Sequence, residues 1–117
     1  MTTNLEVNVT RKDNYAIVLI SGEVDLYSSP KLRNKIIKLT DEKFKTIIID
    51  LSNVPYMDSS GVATMVEGLQ LTEKYKGNLY LCGLNSMVRE VFELSRLDTV
   101  FDIFESIDAL EKQSLIK

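Results

Sequence analysis

The chain has 117 residues, of which 44% are hydrophobic and 26% are charged, and its formal net charge is −3 at pH 7. These values are typical of one globular domain with a single core, and they exclude an extensively disordered chain. Because the chain is mildly acidic and has no basic run beyond Arg11-Lys12, neither nucleic acid nor an anionic membrane is expected as the main partner.

Alternating apolar and polar residues predict two strands near the start of the chain. Leu5, Val7 and Val9 alternate with polar residues, which is the period of a half-buried strand. A polar turn at residues 11–14 precedes a denser apolar run at residues 15–20. We therefore predict an antiparallel hairpin whose second strand lies nearer the centre of a sheet.

A loop at residues 21–28 leads into the first predicted helix. Ser29 is the expected N-cap and Pro30 the expected first helical residue, and the helix should end near Thr40. The inward stripe of this helix consists of Leu32, Ile36 and Leu39. Its basic residues are interpreted as a solvated face, with a docking surface for an acidic partner as the alternative.

The middle of the chain predicts a buried strand followed by a second helix. Four apolar residues in the short run 46–51 indicate a strand buried on both faces and joined to the previous strand by a parallel crossover. The second helix should begin at Ser59 or Ser60 and end near residue 76, with Gly77 in the left-handed position after it. Gly68, inside this helix, predicts close packing against a neighbour.

The remainder of the chain predicts two further strands and two further helices. The strands are expected at 79–82 and 100–104, and the helices from Asn85 or Ser86 to about Ser95 and from Ser106 to about Leu115. The predicted order is β-β-α-β-α-β-α-β-α, with about five strands in a mixed sheet and about four helices. We predict one α/β domain over residues 1–117, with a core at about 5–113.

Absent sequence features limit the location and the chemistry of the chain. No apolar run approaches the roughly 20 residues of a membrane span, and the N-terminal residues lack a signal-peptide pattern, so a cytoplasmic location is expected. With no histidine, the sequence offers no Ser-His triad or histidine metal ligand. Cys82 reads as a small buried apolar residue, with a reactive thiol as the alternative.

The turn at residues 56–61 combines a carboxylate and two hydroxyls at the expected start of the second helix. A serine there can cap the helix, act as a nucleophile or accept a phosphate. The chain has no Ser-x-x-Lys motif around these serines and no nucleophile elbow, phosphate-loop or dinucleotide pattern, so a hydrolase acting through Ser59 is disfavoured. Asp50 and Asp58 could in principle bind a metal ion, but two acids on either side of a loop are weak evidence for such a site.

Capping the helix needs only one of Asp58, Ser59 and Ser60. Phosphorylation of a serine would explain why capping-type residues occur three times in succession. A phosphate adds about −1.5 to −2 charges, and the unpaired N–H groups and dipole of a helix N-terminus tolerate such a charge. Beside Asp58 it would create a concentrated negative patch that repels a partner without unfolding the domain. These arguments apply equally to Ser59 and to Ser60 as the phosphorylated residue.

Two stretches resemble the bacterial anti-sigma factor antagonists, which consist of a STAS domain. They are Gly22-Glu23-Val24-Asp25, followed by Ser28-Ser29-Pro30, and Asp50-Leu51-Ser52-Asn53-Val54-Pro55-Tyr56-Met57-Asp58-Ser59-Ser60-Gly61. The resemblance covers nearly the whole chain, although Val62-Ala63 stands where the family usually has Leu-Gly. It implies a non-enzymatic regulator that binds an anti-sigma factor and so releases a sigma factor.

The resemblance also implies partners and residue roles. The anti-sigma factor is expected to be a serine kinase that phosphorylates Ser59 and ends binding, with Ser60 as the second choice, and a metal-dependent serine phosphatase restores the binding form. Asp25 is expected near Ser59, where it contributes to kinase binding or to phosphate acceptance. The docking surface is expected to be lined by the loop from Glu23 to Ser28 and by the following site residues: Gly22, Glu23, Asp25, Ser28, Met57, Asp58, Ser59, Ser60 and Gly61.

No cofactor, metal or catalytic residue is expected. The alternative keeps the STAS domain but makes it a scaffold or sensor module that binds another signalling protein, a transporter or a nucleotide.

Overall fold

The computed structural model describes residues 4–113 and Leu115. The strands are β1 (Glu6–Arg11), β2 (Tyr15–Ser21), β3 (Thr46–Asn53), β4 (Asn78–Cys82) and β5 (Asp102–Phe104). The helices are α1 (Ser29–Asp41), α2 (Ser59–Lys74), α3 (Ser86–Leu94) and α4 (Ile107–Lys112). The element order is the predicted one. The predicted domain range 1–117 also includes residues 1–3, 114, 116 and 117, which lie outside the described residues.

The five strands form one mixed sheet in the order β1-β2-β3-β4-β5. β1 pairs with β2 in antiparallel fashion, whereas the pairs from β2 to β5 are all parallel. This arrangement confirms the predicted hairpin and the predicted parallel connection through α1. Since parallel strands end at the same edge, the loops that follow β2 and β3 emerge side by side.

The core lies on both faces of the sheet. On one face, Val18, Ile49 and Leu81 occupy paired register positions and belong to the main hydrophobic cluster, which α1 and α2 complete. On the other face, Ile48 packs in a smaller cluster with Leu110 of α4. Since its consecutive isoleucines are fully buried, β3 is confirmed as a strand covered on both faces.

Gly68 lies where α2 approaches α1 and β4. A Cβ atom at this position would lie 3.0 Å from Ile36 Cγ2 and 3.0 Å from Leu79 Cδ1. The predicted close packing is therefore confirmed, because any larger side chain would push against two buried residues.

The start of α1 differs from the prediction by one residue. Ser28 is the N-cap, and Ser29 and Pro30 are the first two helical residues. The Ser28 hydroxyl makes no bond to the helix, because it accepts from the Asp25 N–H and donates to the Glu23 carbonyl, both at 2.9 Å. The preceding loop therefore uses the side chain that a helix start would otherwise employ.

The end of α2 also differs from the prediction. Lys76 adopts the left-handed conformation, with φ at 62°, and Gly77 does not. Gly77 is required for space instead, since a Cβ atom there would lie 2.6 Å from the Tyr75 ring and 3.1 Å from the Lys45 carbonyl oxygen. The Gly77 N–H closes the helix by donating to the Thr72 carbonyl at 2.8 Å.

The last two helices have the predicted type of cap. Asn85 caps α3 by accepting from the Val88 N–H at 2.8 Å, and Ser106 caps α4 by accepting from the Ala109 N–H at 3.2 Å. The α4 helix ends at Lys112, which is earlier than the predicted end near Leu115.

Candidate functional site

Two loops meet at the carboxyl edge of the sheet. The first loop spans residues 22–28 and the second spans residues 54–58. They are joined by a parallel bridge between Val24 and Met57, in which the Val24 N–H donates to the Tyr56 carbonyl and the Asp58 N–H donates to the Val24 carbonyl, both at 3.0 Å. This bridge brings the two sequence motifs together, and Asp25 and Asp58 are the residues that directly follow its two members in the chain.

Asp58 is the N-cap of α2. One carboxylate oxygen accepts from the N–H of Ser60 at 2.9 Å and from the N–H of Gly61 at 3.3 Å, and the Ser60 hydroxyl donates to the same oxygen. Burial acts to raise the pKa of Asp58, but these bonds and the nearby N–H of Leu26 outweigh it and lower the pKa below its ordinary value. The Asp58 side chain is therefore an anion at neutral pH.

The capping bonds change the expected setting of a phosphate at this turn. The N–H groups of Ser60 and Gly61 already bond to the Asp58 carboxylate, and the Val62 N–H donates to the Asp58 carbonyl at 3.2 Å. The expectation that the helix start supplies unpaired N–H groups to a phosphate is therefore wrong for the Ser60 and Gly61 donors, whereas the Val62 N–H makes the ordinary first bond of the helix. Ser59 is exposed and directly follows the anionic Asp58 in the chain, so a phosphate on Ser59 would add to an existing negative charge.

The two serines of the turn have different surroundings. Ser59 is the exposed first residue of α2, and within residues 4–113 its hydroxyl makes no hydrogen bond. Ser60 is half-buried and its hydroxyl is engaged by Asp58. The Ser60 carbonyl also accepts from the Thr64 hydroxyl at 3.0 Å. Ser59 is thus the accessible hydroxyl, and Ser60 belongs to the structure of the turn.

Asp25 holds the shape of the first loop. One of its carboxylate oxygens accepts from the N–H groups of Tyr27 and Ser28, both at 2.9 Å. The Ser29 N–H donates to the Asp25 carbonyl at 2.8 Å and links the loop to α1. The half-buried Asp25 therefore fixes the backbone that lies next to the Asp58–Ser59 turn.

Three residues expected on the docking surface lie below it. Met57 is 0% exposed and Ser28 is 2% exposed, while a Cβ atom on the buried Gly61 would lie 2.5 Å from Met57 Cγ. In this structure the three residues support the two loops from below, and their contact with a partner stays a prediction. Glu23 is exposed and Gly22 is half-buried, with φ at 119° and a Cβ position 3.1 Å from the Asn4 carbonyl oxygen.

The family model described as the STAS domain matches residues 6–110. The chain belongs to the STAS domain family. Its five-strand mixed sheet, four described helices and element order are those of the fold.

Several known proteins are similar to this STAS domain. The anti-sigma-B factor antagonist of Bacillus subtilis strain 168 is 35% identical over 100 residues, which cover 86% of this chain and 91% of that protein. An anti-sigma factor antagonist from Mycobacterium paratuberculosis has a TM-score of 0.84 at 24% identity, with 93% of each chain covered. The anti-sigma factor antagonist SpoIIAA in its unphosphorylated form has a TM-score of 0.80 at 23% identity, with 96% of this chain and 99% of that chain covered.

SpoIIAA has also been solved in its phosphorylated form. That structure has a TM-score of 0.72 at 22% identity and covers 92% of this chain and 98% of that chain. At these identities, the structural matches concern the fold.

The STAS domain exposes large apolar side chains around the turn. Leu26 is 67% exposed and Tyr27 is 68% exposed in the first loop, and Tyr56 is 43% exposed in the second. Leu26 and Tyr27 belong to the loop that was expected to line the docking surface, whereas Tyr56 was not among the expected site residues. The available signal was the presence of bulky apolar residues between turn formers, at positions with no helical or strand period.

The described part of the STAS domain offers no alternative centre built on acids or the thiol. Within residues 4–113 and Leu115, no three His, Cys, Asp or Glu residues are placed to hold a metal ion, and Asp50 instead accepts from the Ser52 N–H at 3.0 Å. Cys82 is fully buried, and burial together with the charge of Asp50 raises the pKa of its thiol to about 12, which confirms the apolar interpretation. None of the described helices is long and apolar enough to cross a membrane.

Proposed function

We propose that this STAS domain is an anti-sigma factor antagonist. In its unphosphorylated form it binds an anti-sigma factor and so releases a sigma factor. The observation that carries the proposal is the exposed Ser59 hydroxyl beside the ionised Asp58, at the edge where both motif loops meet. The 35% identity to a Bacillus subtilis antagonist over 86% of the chain supports the same role.

The anti-sigma factor in this proposal is also a serine kinase, and Ser59 is its substrate. The Ser59 hydroxyl oxygen forms a bond to the γ-phosphorus of ATP while the bond from that phosphorus to the β,γ-bridging oxygen breaks. ADP leaves with the bonding electrons, and the hydroxyl proton passes to a base of the kinase. A metal-dependent serine phosphatase later hydrolyses the phosphoserine and restores the binding form.

Ser59 is favoured over Ser60 by the bonds of the turn. Phosphorylation of Ser60 would break the hydrogen bond from its hydroxyl to Asp58 and place the phosphate against that carboxylate. It would also require access to a half-buried side chain, whereas Ser59 is exposed. Ser59 can accept a phosphate without loss of the α2 cap.

The proposed switch acts on the surface and leaves the fold intact. A phosphate adds about −1.5 to −2 charges to the single charge of Asp58. Interference with a charge-sensitive docked surface costs about 2–5 kcal/mol. At about 1.4 kcal/mol per tenfold change, this corresponds to roughly a 30-fold to several-thousand-fold loss of affinity.

Site mapping tests the phosphoacceptor assignment. The protein is incubated with its cognate anti-sigma kinase and ATP, and the phosphate is located by mass spectrometry. Label is expected on Ser59 in the wild type and in the matched control Ser60→Ala, and it should disappear in Ser59→Ala. Label confined to Ser60 or to another residue would contradict the assignment.

Asp25 is proposed to assist phosphorylation by ordering the first loop. Asp25→Ala removes the acceptor for the Tyr27 and Ser28 N–H groups. It should slow phosphorylation of Ser59 more strongly than it lowers the free energy of unfolding. Normal phosphorylation kinetics in this variant would remove Asp25 from the site.

A further inference from the structure

We infer that Leu26, Tyr27 and Tyr56, called here the apolar rim, supply most of the binding affinity for the anti-sigma kinase. Phosphorylation of Ser59 then supplies the negative charge that lowers this affinity. The inference rests on the proposed function and adds the chemistry of the partner, which must present an apolar surface beside its phosphoryl-transfer site.

The two motif loops carry three of the six exposed large hydrophobic side chains of the described residues. Leu26 and Tyr27 are each about two-thirds exposed, at 67% and 68%, and Tyr56 is 43% exposed. Single exposed apolar residues are ordinary, but neighbouring ones on a folded surface mark interaction sites. Two of the three are tyrosines, which are enriched among the residues that dominate binding energies.

Backbone contacts connect the rim to the phosphoacceptor turn. Val24, two residues before Leu26, donates its N–H to the Tyr56 carbonyl at 3.0 Å. The Asp58 N–H donates to the Val24 carbonyl at 3.0 Å and so ties the first loop to Asp58. The rim therefore flanks the residue that immediately precedes Ser59.

The loops that carry the rim are held in place before any partner binds. Asp25 fixes the N–H groups of Tyr27 and Ser28, and the buried Met57 anchors the second loop from below. Side chains on a fixed backbone lose less conformational entropy on binding than those on a mobile loop. This pre-organisation allows three side chains to contribute strongly.

The occupant of the rim follows from the position of Ser59. A kinase that phosphorylates this residue must seat its transfer site on the Ser59 hydroxyl. A specific interface of standard size covers about 800 Å² of each partner, which is far more than one serine occupies. A partner centred on Ser59 therefore also covers the adjoining rim, and apolar complementarity there is the available source of affinity.

The apolar rim also increases the effect of Ser59 phosphorylation on binding affinity. A phosphate at the border of an apolar contact loses hydration when the partner docks, and an unpaired buried charge is strongly unfavourable. Phosphorylation consequently weakens a contact that the neutral serine permits.

Alanine scanning with a matched exposed control tests the rim. Affinity of the full unphosphorylated chain for the cognate anti-sigma kinase is measured by calorimetry for wild type, Leu26→Ala, Tyr27→Ala and Tyr56→Ala. Leu94→Ala is the control, since Leu94 is 78% exposed at the end of α3. Tyr27→Ala should weaken binding about tenfold or more and the other two rim variants at least about threefold, while the control stays within about twofold.

A second substitution separates lost contact from lost structure. Tyr27→Phe keeps the ring and should bind within about threefold of wild type, and thermal unfolding confirms that each variant is folded. Rim variants that bind like wild type, or a Leu94→Ala loss as large as theirs, overturn the rim but leave the proposed function standing.

Two further outcomes are distinguishable from these. If wild type itself does not bind the kinase, the proposed function fails and the rim inference falls with it. If the rim variants abolish self-association in sedimentation experiments while kinase affinity is unchanged, a second copy of the chain is the occupant and the inference is overturned.

Discussion

Replacing Asp58 with alanine should destabilise the domain in a pH-dependent manner. The Asp58 carboxylate caps α2 by accepting from the N–H groups of Ser60 and Gly61. Loss of an N-cap costs about 0.5–2 kcal/mol, and loss of the anion at the positive end of the helix costs about 0.3–1 kcal/mol. Since these effects overlap, we expect a decrease of about 1–2 kcal/mol in the free energy of unfolding at neutral pH.

The sign of the pH dependence follows from the lowered pKa of Asp58, in which hydrogen bonds to the carboxylate outweigh burial. The ionised group stabilises the native state above the ordinary carboxyl pKa of about 3.9, and this stabilisation is lost as the pH falls through the lower folded-state pKa. The difference between wild type and Asp58→Ala should therefore shrink on acidification.

Urea denaturation from neutral pH to about pH 2.5 measures this difference across the titration. Ser106→Ala is the matched control, because the Ser106 hydroxyl caps α4 without a charge of its own. The destabilisation by Ser106→Ala should be nearly independent of pH. An Asp58→Ala variant as stable as wild type at neutral pH, or equally destabilised at every pH, would refute the charged-cap reasoning.

Two further predictions concern the core. Gly68→Ala should lower the free energy of unfolding by about 1 kcal/mol. Overpacking against Ile36 and Leu79, each 3.0 Å from the new Cβ, costs about 1–3 kcal/mol and outweighs the helix-propensity gain of about 1 kcal/mol. A variant that is more stable than wild type in urea denaturation would contradict this. The Cys82 thiol, with its pKa raised to about 12 by burial and the charge of Asp50, should react with iodoacetamide near pH 8 only as fast as the protein unfolds. Rapid labelling of the native protein would show that the thiol is accessible.

The order of elements was predictable because local patterns and tertiary packing agree. The consecutive isoleucines of β3 indicated burial on both faces, and Gly68 indicated the close approach of α2 to its neighbours. Boundaries were less predictable where tertiary contacts override local preference. Ser28 caps α1 in place of Ser29, and Lys76 takes the left-handed position because Gly77 is needed where Tyr75 and Lys45 come close.

The site could be located from the sequence, but its internal bonds could not. The pattern of residues 56–61 identified the turn and offered three caps, and only the folded geometry selects Asp58. The bridge between Val24 and Met57 joins residues far apart in the chain, so no local period reveals it. The same bridge explains why Met57, expected at the surface, is buried and supports the loops from within.

The central claim is that negative charge at Ser59 switches partner binding without unfolding the domain. The most direct measurement is the affinity for the cognate anti-sigma kinase of wild type, Ser59→Ala, Ser59→Asp and wild type phosphorylated on Ser59, with circular dichroism of each protein. Ser59→Ala should bind like wild type, Ser59→Asp more weakly, and the phosphorylated form at least roughly 30-fold more weakly, all with native spectra. Equal affinity of the folded Ser59→Asp, phosphorylated and Ser59→Ala proteins would contradict the claim.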